Sequence, residues 1–212
     1  MTDTNQTKGL RKNLTEELKI KGIKDAKVLD AVMNVPRHYF VPASLLGHAY
    51  SDRALPILCK QTISQPYTVA KQSELLEVKK QQRILEIGTG SGYQAAILRY
   101  LGAFVYSIER QRDLYESTKK LFHDLSISIA TKHGDGYNGW LEFAPFDRIL
   151  ITCGATQIPQ NLLNQLKING ILVAPVGEEL QTMTKVTRLS ETKFETTTHG
   201  SFVFVPMVKN TE

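Results

Sequence analysis

At 212 residues with 42% hydrophobic side chains, the chain is long enough for one domain with a sizeable core, or one domain with modest additions. The net charge of +5 comes from scattered basic groups at Lys19–Lys27, Lys79–Lys80 and Lys119–Lys120, which read as solvated helix faces rather than a nucleic-acid footprint. No apolar run reaches the ~20 residues of a membrane helix, Met1 to Lys8 lack the apolar core of a signal peptide, and the two cysteines, Cys59 and Cys153, are too far apart for a disulfide framework or a metal cluster. The expectation is a cytoplasmic protein with no metal, no nucleic-acid partner and no membrane partner.

Residues 1–8 read as disordered. Leu10, Leu14 and Leu18 recur at helical spacing, and Gly22 ends that helix. Asp25 can cap a second helix whose Val28, Leu29, Val32 and Met33 share a face, and Pro36 stops it. The pair forms an N-terminal helical cap. The aromatic, proline-bounded segment Val35–Pro42 cannot be helical throughout. Its His38 has the chemistry of a general base but no evident partner, so a packing histidine is the plainer reading. An irregular stretch follows over 49–58. Then Gln61, Thr62, Ser64 and Gln65 stand before Pro66, which suits the first position of a helix, with Ser64 or Gln65 at its cap. Composition alone reads Ser64 as a capping serine.

The densest signal runs from Arg83 to Ala96. A short apolar strand, Arg83–Ile87, leads into Gly88-Thr89-Gly90-Ser91-Gly92 and an Ala-rich helix start. Glycines let the backbone turn sharply and approach a ligand, and the helix N-terminus beyond them offers free N–H groups. A second strand, Ala103–Glu109, ends in a carboxylate about 20 residues beyond the glycines, where it can accept from both hydroxyls of a ribose. Dinucleotide and S-adenosylmethionine enzymes share this layout. Two details favour the methyl donor. The glycines are spaced G-x-G-x-G, which misplaces the third for a pyrophosphate turn. Glu86, in the first strand, would add negative charge that suits a sulfonium and an ammonium better than two phosphates.

Asp113–Leu125 reads as an amphipathic helix and Ile127–Lys132 as a third strand, leading into the Gly134-Asp135-Gly136 turn. In this layout the turn lies beside an adenine, whose amine Asp135 could meet; a plain Asp-Gly turn is the alternative. Phe146–Cys153 is a fourth strand. Pro159 starts a helix carrying Leu162, Leu163 and Leu166, and Asn169-Gly170 turns into a fifth strand, Ile171–Val176. Gln181–Leu189, Phe194–Thr198 and Ser201–Val208 alternate like antiparallel strands. Strand–helix alternation over 83–176 predicts an α/β fold with a doubly wound, Rossmann-like parallel sheet, its edge completed by the C-terminal strands. The whole chain reads as one domain in three parts: helices and an active-site segment over 1–78, a cofactor-binding core over 79–177, and C-terminal strands over 178–212.

Several segments in order resemble one family over residues 10–208, the bacterial protein-L-isoaspartate O-methyltransferases. They are Val35-Pro36-Arg37, Phe40-Val41-Pro42, Asp52-Arg53-Ala54-Leu55-Pro56-Ile57, Gln61-Thr62-Ile63-Ser64-Gln65-Pro66-Tyr67, Leu85 to Gln94, Tyr106 to Glu109, Gly134-Asp135-Gly136, Gln165-Leu166-Lys167, Pro175-Val176-Gly177 and Phe204-Val205-Pro206-Met207. The glycine motif is shared by many methyltransferases; the Thr-Ile-Ser-Gln-Pro segment is far more specific. The resemblance implies a class I S-adenosylmethionine-dependent methyltransferase, giving S-adenosylhomocysteine as product and needing no metal. Its acceptor would be the α-carboxylate of L-isoaspartyl residues in damaged proteins and peptides, and its usual state a monomer. It implies that Ser64 is catalytic, that Gln61, Thr62, Ile63 and Ser64 lie over the donor, and that Gly88 and Gly90 approach the donor's methionine part. It further implies that Glu109 holds the ribose and that Asp135 and Gly136 border the adenine. The stretch 49–60 and the strand near Val205 are candidate walls for the acceptor. Three positions depart from the family: Leu58-Cys59-Lys60 replaces a glycine-rich turn, Cys153-Gly154-Ala155 replaces three alanines, and Asn169 replaces a usual glycine.

Other readings remain open on residues alone. One is a methyltransferase acting on a small carboxylate or a nucleic acid, base methylation being disfavoured because the fourth strand ends in Thr152-Cys153-Gly154 rather than an Asn/Asp-Pro-Pro-aromatic motif. A non-catalytic donor-binding module and a dinucleotide oxidoreductase are the other two.

Overall fold

The computed structural model describes residues 2–212. Helix α1 spans Asn5–Ile20 and α2 spans Ala26–Asn34, each capped by a side chain: the Thr4 hydroxyl oxygen accepts from the Thr7 N–H, and Asp25 accepts from the Lys27 N–H. Order therefore begins earlier than the composition suggests. Residues 5–8 are helical, and Asp3 pairs with the Arg11 guanidinium at 2.9 Å; Met1 lies outside the described residues. Leu10 is exposed, and Arg11 takes its place on the buried face beside Leu14 and Leu18, donating to the Tyr50 hydroxyl and the Met33 carbonyl.

After two short 3₁₀ turns, β1 (Leu55–Pro56) pairs antiparallel with β2 (Thr62–Ile63), and α3 runs from Pro66 to Leu76. The main sheet then begins with β3 (Arg83–Ile87), α4 (Tyr93–Tyr100), β4 (Phe104–Glu109), α5 (Arg112–Asp124), β5 (Ala130–His133) and β6 (Phe146–Ile151). It finishes with α6 (Gln160–Asn164), β7 (Leu166–Val176), β8 (Gln181–Arg188) and β9 (Phe194–Phe202). The strand order is β5-β4-β3-β6-β7-β8-β9, parallel from β5 to β7 and antiparallel for the last two pairings. This is the expected doubly wound sheet with an antiparallel edge. Both faces are covered. Leu14, Val32, Val69, Ile84, Ile97 and Leu150 belong to one core; Leu85, Ile108, Phe146, Ile149 and Leu172 belong to the other.

Three boundaries differ from the sequence reading, each for a local reason. The third strand starts at Ala130 rather than Ile127, because Ser126 takes φ +55° and the Ile127 N–H is spent closing α5 on the Phe122 carbonyl. Leu166 opens β7 instead of closing α6; Asn169, at φ +63°, sits inside β7 where its register with β6 shifts. The last strand stops at Phe202. Residues 203–208 leave the sheet and return beside β6, where the Gly154 N–H donates to the Val205 carbonyl and the Met207 N–H to the Gly154 carbonyl. No helix among the described residues is long and apolar enough to cross a membrane.

Candidate active site

The strand order reverses between β3 and β6, and ligands of doubly wound sheets bind at that switch point beyond the strands' carboxyl ends. A cleft opens there. Its floor is the glycine loop. Gly88 has φ +96°, and an added Cβ would lie 2.5 Å from Thr152 Oγ1, so only glycine fits. Gly90, at φ +53°, has no atom nearer than 4.0 Å to an added Cβ, so its backbone borders open space. Gly92 serves packing instead: a Cβ would meet Phe122 at 2.6 Å, so its absence lets α4 sit close against α5.

Glu109, at the end of β4, lines the cleft with 4% exposure. Its Oε2 accepts from the Gly90 N–H at 2.8 Å and its Oε1 from the Gln111 N–H at 3.0 Å. A carboxylate has about four acceptor sites, so capacity for a ribose remains. Gly136 also lines the cleft; an added Cβ would clash with Ile87. Asp135 stands behind it, its two oxygens accepting from the Tyr137 N–H (2.9 Å) and the Asn210 N–H (2.9 Å). Ile108, Leu114, Val205 and Met207 give the cleft apolar walls.

Glu86 lies lower. It is fully buried on the face of β3 that also carries Ile84, accepts from the Ser107 hydroxyl, and reaches the loop only through the Ser107–Thr89 hydroxyl contact of 2.6 Å. Its other oxygen has no protein partner, and burial, reinforced by the Glu109 charge, pushes its carboxyl up to about 8. The negative charge expected of Glu86 is therefore absent at neutral pH.

The segment Gln61–Ser64 forms the opposite wall, as β2 and the bend after it. Ser64 does not cap α3. That position belongs to Gln65, whose side chain makes no cap bond, and Asp52 does the work from a distance: Oδ1 accepts from the Tyr67 N–H at 2.8 Å and Oδ2 from the Gln65 amide at 3.0 Å. The Ser64 side chain is half-buried and lines a second cleft as well as the first, together with Thr62, Thr152 and Val205. Among the described residues no protein group hydrogen-bonds its hydroxyl. Ala54, Tyr67, Phe202 and His199 line the second cleft farther out.

Sequence reasoning passed over Asp52 and Thr152; it named the strand near Val205 as an acceptor wall, and Val205 to Val208 also line the first cleft. Thr152 follows β6 at the carboxyl edge of the sheet, a position that could have flagged it; its hydroxyl lies 2.6 Å from the Gly88 carbonyl. His38 is not in either cleft. It is buried against Tyr50, its Nδ1 2.6 Å from the hydroxyl, and burial lowers its basicity. Cys153 lines the first cleft with a thiol pushed by burial to about 12, too high to be a nucleophile. The divergent turn Leu58-Cys59-Lys60 is a 3₁₀ turn in which Cys59 and Lys60 both take φ +55°, the conformation that a glycine-rich turn adopts without strain. Among the described residues no group of three or more His, Cys, Asp or Glu is placed to hold a metal.

Residues 9–212 match the family model "Protein-L-isoaspartate(D-aspartate) O-methyltransferase (PCMT)". The chain is 54% identical over 213 residues to the Protein-L-isoaspartate O-methyltransferase of Flavobacterium johnsoniae, covering 99% of both chains. It is 52% identical over 211 residues to that of Christiangramia forsetii, again covering 99% of both. Among solved structures it is similar to a Plasmodium falciparum protein assigned as a protein-L-isoaspartate O-methyltransferase, in complex with S-adenosyl-L-homocysteine. That likeness has a TM-score of 0.83 at 25% identity and covers 94% of this chain and 99% of that one.

Proposed function

The chain belongs to the protein-L-isoaspartate(D-aspartate) O-methyltransferase family, and from that premise we propose how its two clefts divide the work of a repair methyltransferase. The enzyme transfers a methyl group from S-adenosylmethionine to the α-carboxylate of an L-isoaspartyl residue in a damaged protein or peptide. The resulting ester closes to a succinimide, which reopens partly to normal aspartate.

The donor, when bound, supplies an electrophilic methyl on a sulfonium. The first cleft suits it: Gly88 and Gly90 offer bare backbone, Glu109 a carboxylate for the ribose, Gly136 a border for the adenine with Asp135 bracing the turn behind it, and Gln61 to Ser64 a cover. Glu86 acts beneath the loop, through Ser107 and Thr89, rather than at its surface. The acceptor enters by the second cleft, along Ala54, Tyr67 and Phe202. Ser64 stands where the clefts meet and donates its hydroxyl to the incoming carboxylate, fixing one oxygen while the other faces the methyl. A carboxylate of pKa near ~4 is already ionised at neutral pH, so no general base is needed. Alignment and water exclusion carry the rate. The observation that carries this reading is Ser64, which lines both clefts and whose hydroxyl is hydrogen-bonded by no other described residue.

The reading extends to a cytoplasmic monomer organised as one domain, with parts 1–78, 79–177 and 178–212. The test is methyl transfer from labelled S-adenosylmethionine to two peptides that differ only in an L-isoaspartyl or a normal aspartyl residue. Base-labile label on the isoaspartyl peptide alone is expected. Equal label on both, or on neither while the donor binds, would refute the acceptor assignment.

A further inference from the structure

The second cleft ends in a feature that methyl transfer itself does not use. Strand β9 pairs with β8 through Phe194–Thr198 and again through Ser201–Phe202, but the register shifts between them, leaving His199 and Gly200 outside the ladder. Gly200 takes φ +85°, as such a bulge requires. Bulges re-aim side chains, and both His199 and Gly200 line the cleft that holds Ser64. The imidazole Nε2 lies 2.8 Å from the Thr197 hydroxyl. Its basicity is lowered first by burial and then by two ammonium groups, Lys71 of α3 and Lys185 of β8. Each lysine is paired, Lys71 with Glu74 at 2.9 Å and Lys185 with Glu77. Leu180 also lines the cleft, and among the described residues His199 is the one basic side chain in a lining that mixes hydroxyls and amides with the hydrocarbon of Ala54, Leu180, Phe202 and Phe204. Because β9 is the edge of the sheet, its outer backbone is open to an extended peptide.

We propose that His199, turned into the acceptor cleft by the β9 bulge and backed by Lys71 and Lys185, is a specificity-determining residue that selects acceptors with an acidic side chain on one flank of the isoaspartyl residue. This rests on the isoaspartyl reading above. An acidic flanking residue accepts from the imidazole and sits in the field of the two lysines; a lysine on the same flank is repelled by the two ammonium groups. The interaction is made on binding and not at the methyl, so it acts on KM and leaves kcat unchanged.

The test is a set of isoaspartyl peptides bearing Glu, Gln or Lys at each position flanking the damaged residue, assayed with the wild type, His199→Ala, His199→Gln and Lys185→Gln. In the wild type, KM at one flank position should rise from Glu to Lys by about three- to fivefold, the scale of a partly exposed ion pair. His199→Ala should flatten that series with kcat retained, and Lys185→Gln should narrow it. His199→Gln, which keeps a hydrogen-bond donor, should retain part of the Glu-over-Lys preference, giving a second reading if the alanine variant folds poorly. A flat wild-type series at every position, or an unchanged series in both His199 variants, would overturn the proposal. A wild type that methylates no isoaspartyl peptide whatever its flank would instead remove the reading on which it rests.

Discussion

Glu86 offers the sharpest test of the electrostatics beneath the donor cleft. Its carboxyl, fully buried and bonded only to the Ser107 hydroxyl, titrates at about 8 in the folded protein against an ordinary 4.5. Below ~4.5 both folded and unfolded chains hold the proton, and the group costs nothing. Between the two values only the folded chain keeps it, so stability falls as pH rises, by about 1.4 kcal/mol per pH unit. Above 8 both states are ionised and the loss is complete, on the order of 5 kcal/mol. Glu86→Gln preserves the oxygen that accepts from Ser107 and removes the ionisation. Urea unfolding at pH 5, 6.5 and 8.5, followed by the fluorescence of the single tryptophan, Trp140, gives the free energies. At pH 5 the variant should match the wild type within about 1 kcal/mol. By pH 8.5 it should be the more stable protein by about 3–5 kcal/mol. A gap that stays constant across this range would mean that the carboxyl is not held protonated by burial, and the account of a neutral floor would fail.

Ser64→Ala should lower kcat on an isoaspartyl peptide by about tenfold to a hundredfold, the scale of one lost hydrogen bond to a charged group, with donor affinity by calorimetry within about twofold. Unchanged turnover would take Ser64 off the catalytic list. Asp52→Ala removes the cap of α3 and one partner of Lys21 (2.6 Å), so it should cost about 1–2 kcal/mol in stability by urea unfolding and lower kcat by loosening the segment that carries Ser64. Retained stability would show that the Tyr67 N–H needs no cap. Lys60→Gly, placed at φ +55°, should raise stability by about 0.5–1 kcal/mol, since relief of left-handed strain exceeds the entropy glycine adds to the unfolded chain; a destabilised variant would mean that the turn is not strained.

The sheet was legible because its strands are short apolar runs closed by glycine, Asp-Gly or Asn-Gly, and burial on both faces leaves such runs little choice. One wall of the first cleft was legible for the same reason: Gly88, Gly90 and Glu109, which line it, are local signals placed by the two strands they follow. What escaped is what depends on distant partners. Asp52 lies 15 residues from the N–H it caps, and nothing between them announces the bond. Composition alone made Ser64 a cap, and only the resemblance marked it as catalytic; in the fold the capping role falls to Asp52. The ionisation of Glu86 depends on a burial that no spacing encodes. The C-terminal residues alternate like a strand through Val208, yet after Phe202 their backbone pairs with Gly154, and the Phe204 N–H meets only the Gln181 side chain of β8. Pro206 has no N–H to give a ladder, a local hint at the change of partner.

The neutral floor bears directly on the chemistry. The reaction joins a carboxylate to a sulfonium methyl and leaves an ester and a thioether, so two opposite charges disappear along the path. Surroundings that solvate charge strongly hold the separated reactants back, and surroundings of low polarity do so less. The residues in place agree. Cys153 remains a thiol, Glu86 remains a carboxylic acid near pH 7, and Ile87, Val69, Leu114 and Met207 are hydrocarbon or thioether. No histidine lines the first cleft among the described residues, and its charged side chains, Glu109 and Arg110, are adjacent in the chain. Against that background a single hydroxyl at Ser64 can hold the acceptor carboxylate in line without solvating away its charge, as a water-filled cleft or a paired lysine would. On this argument Ser64→Lys should bind an isoaspartyl peptide more tightly and turn it over more slowly. A fall in KM together with kcat would mark over-stabilised reactants, whereas a rise in kcat would contradict the reasoning.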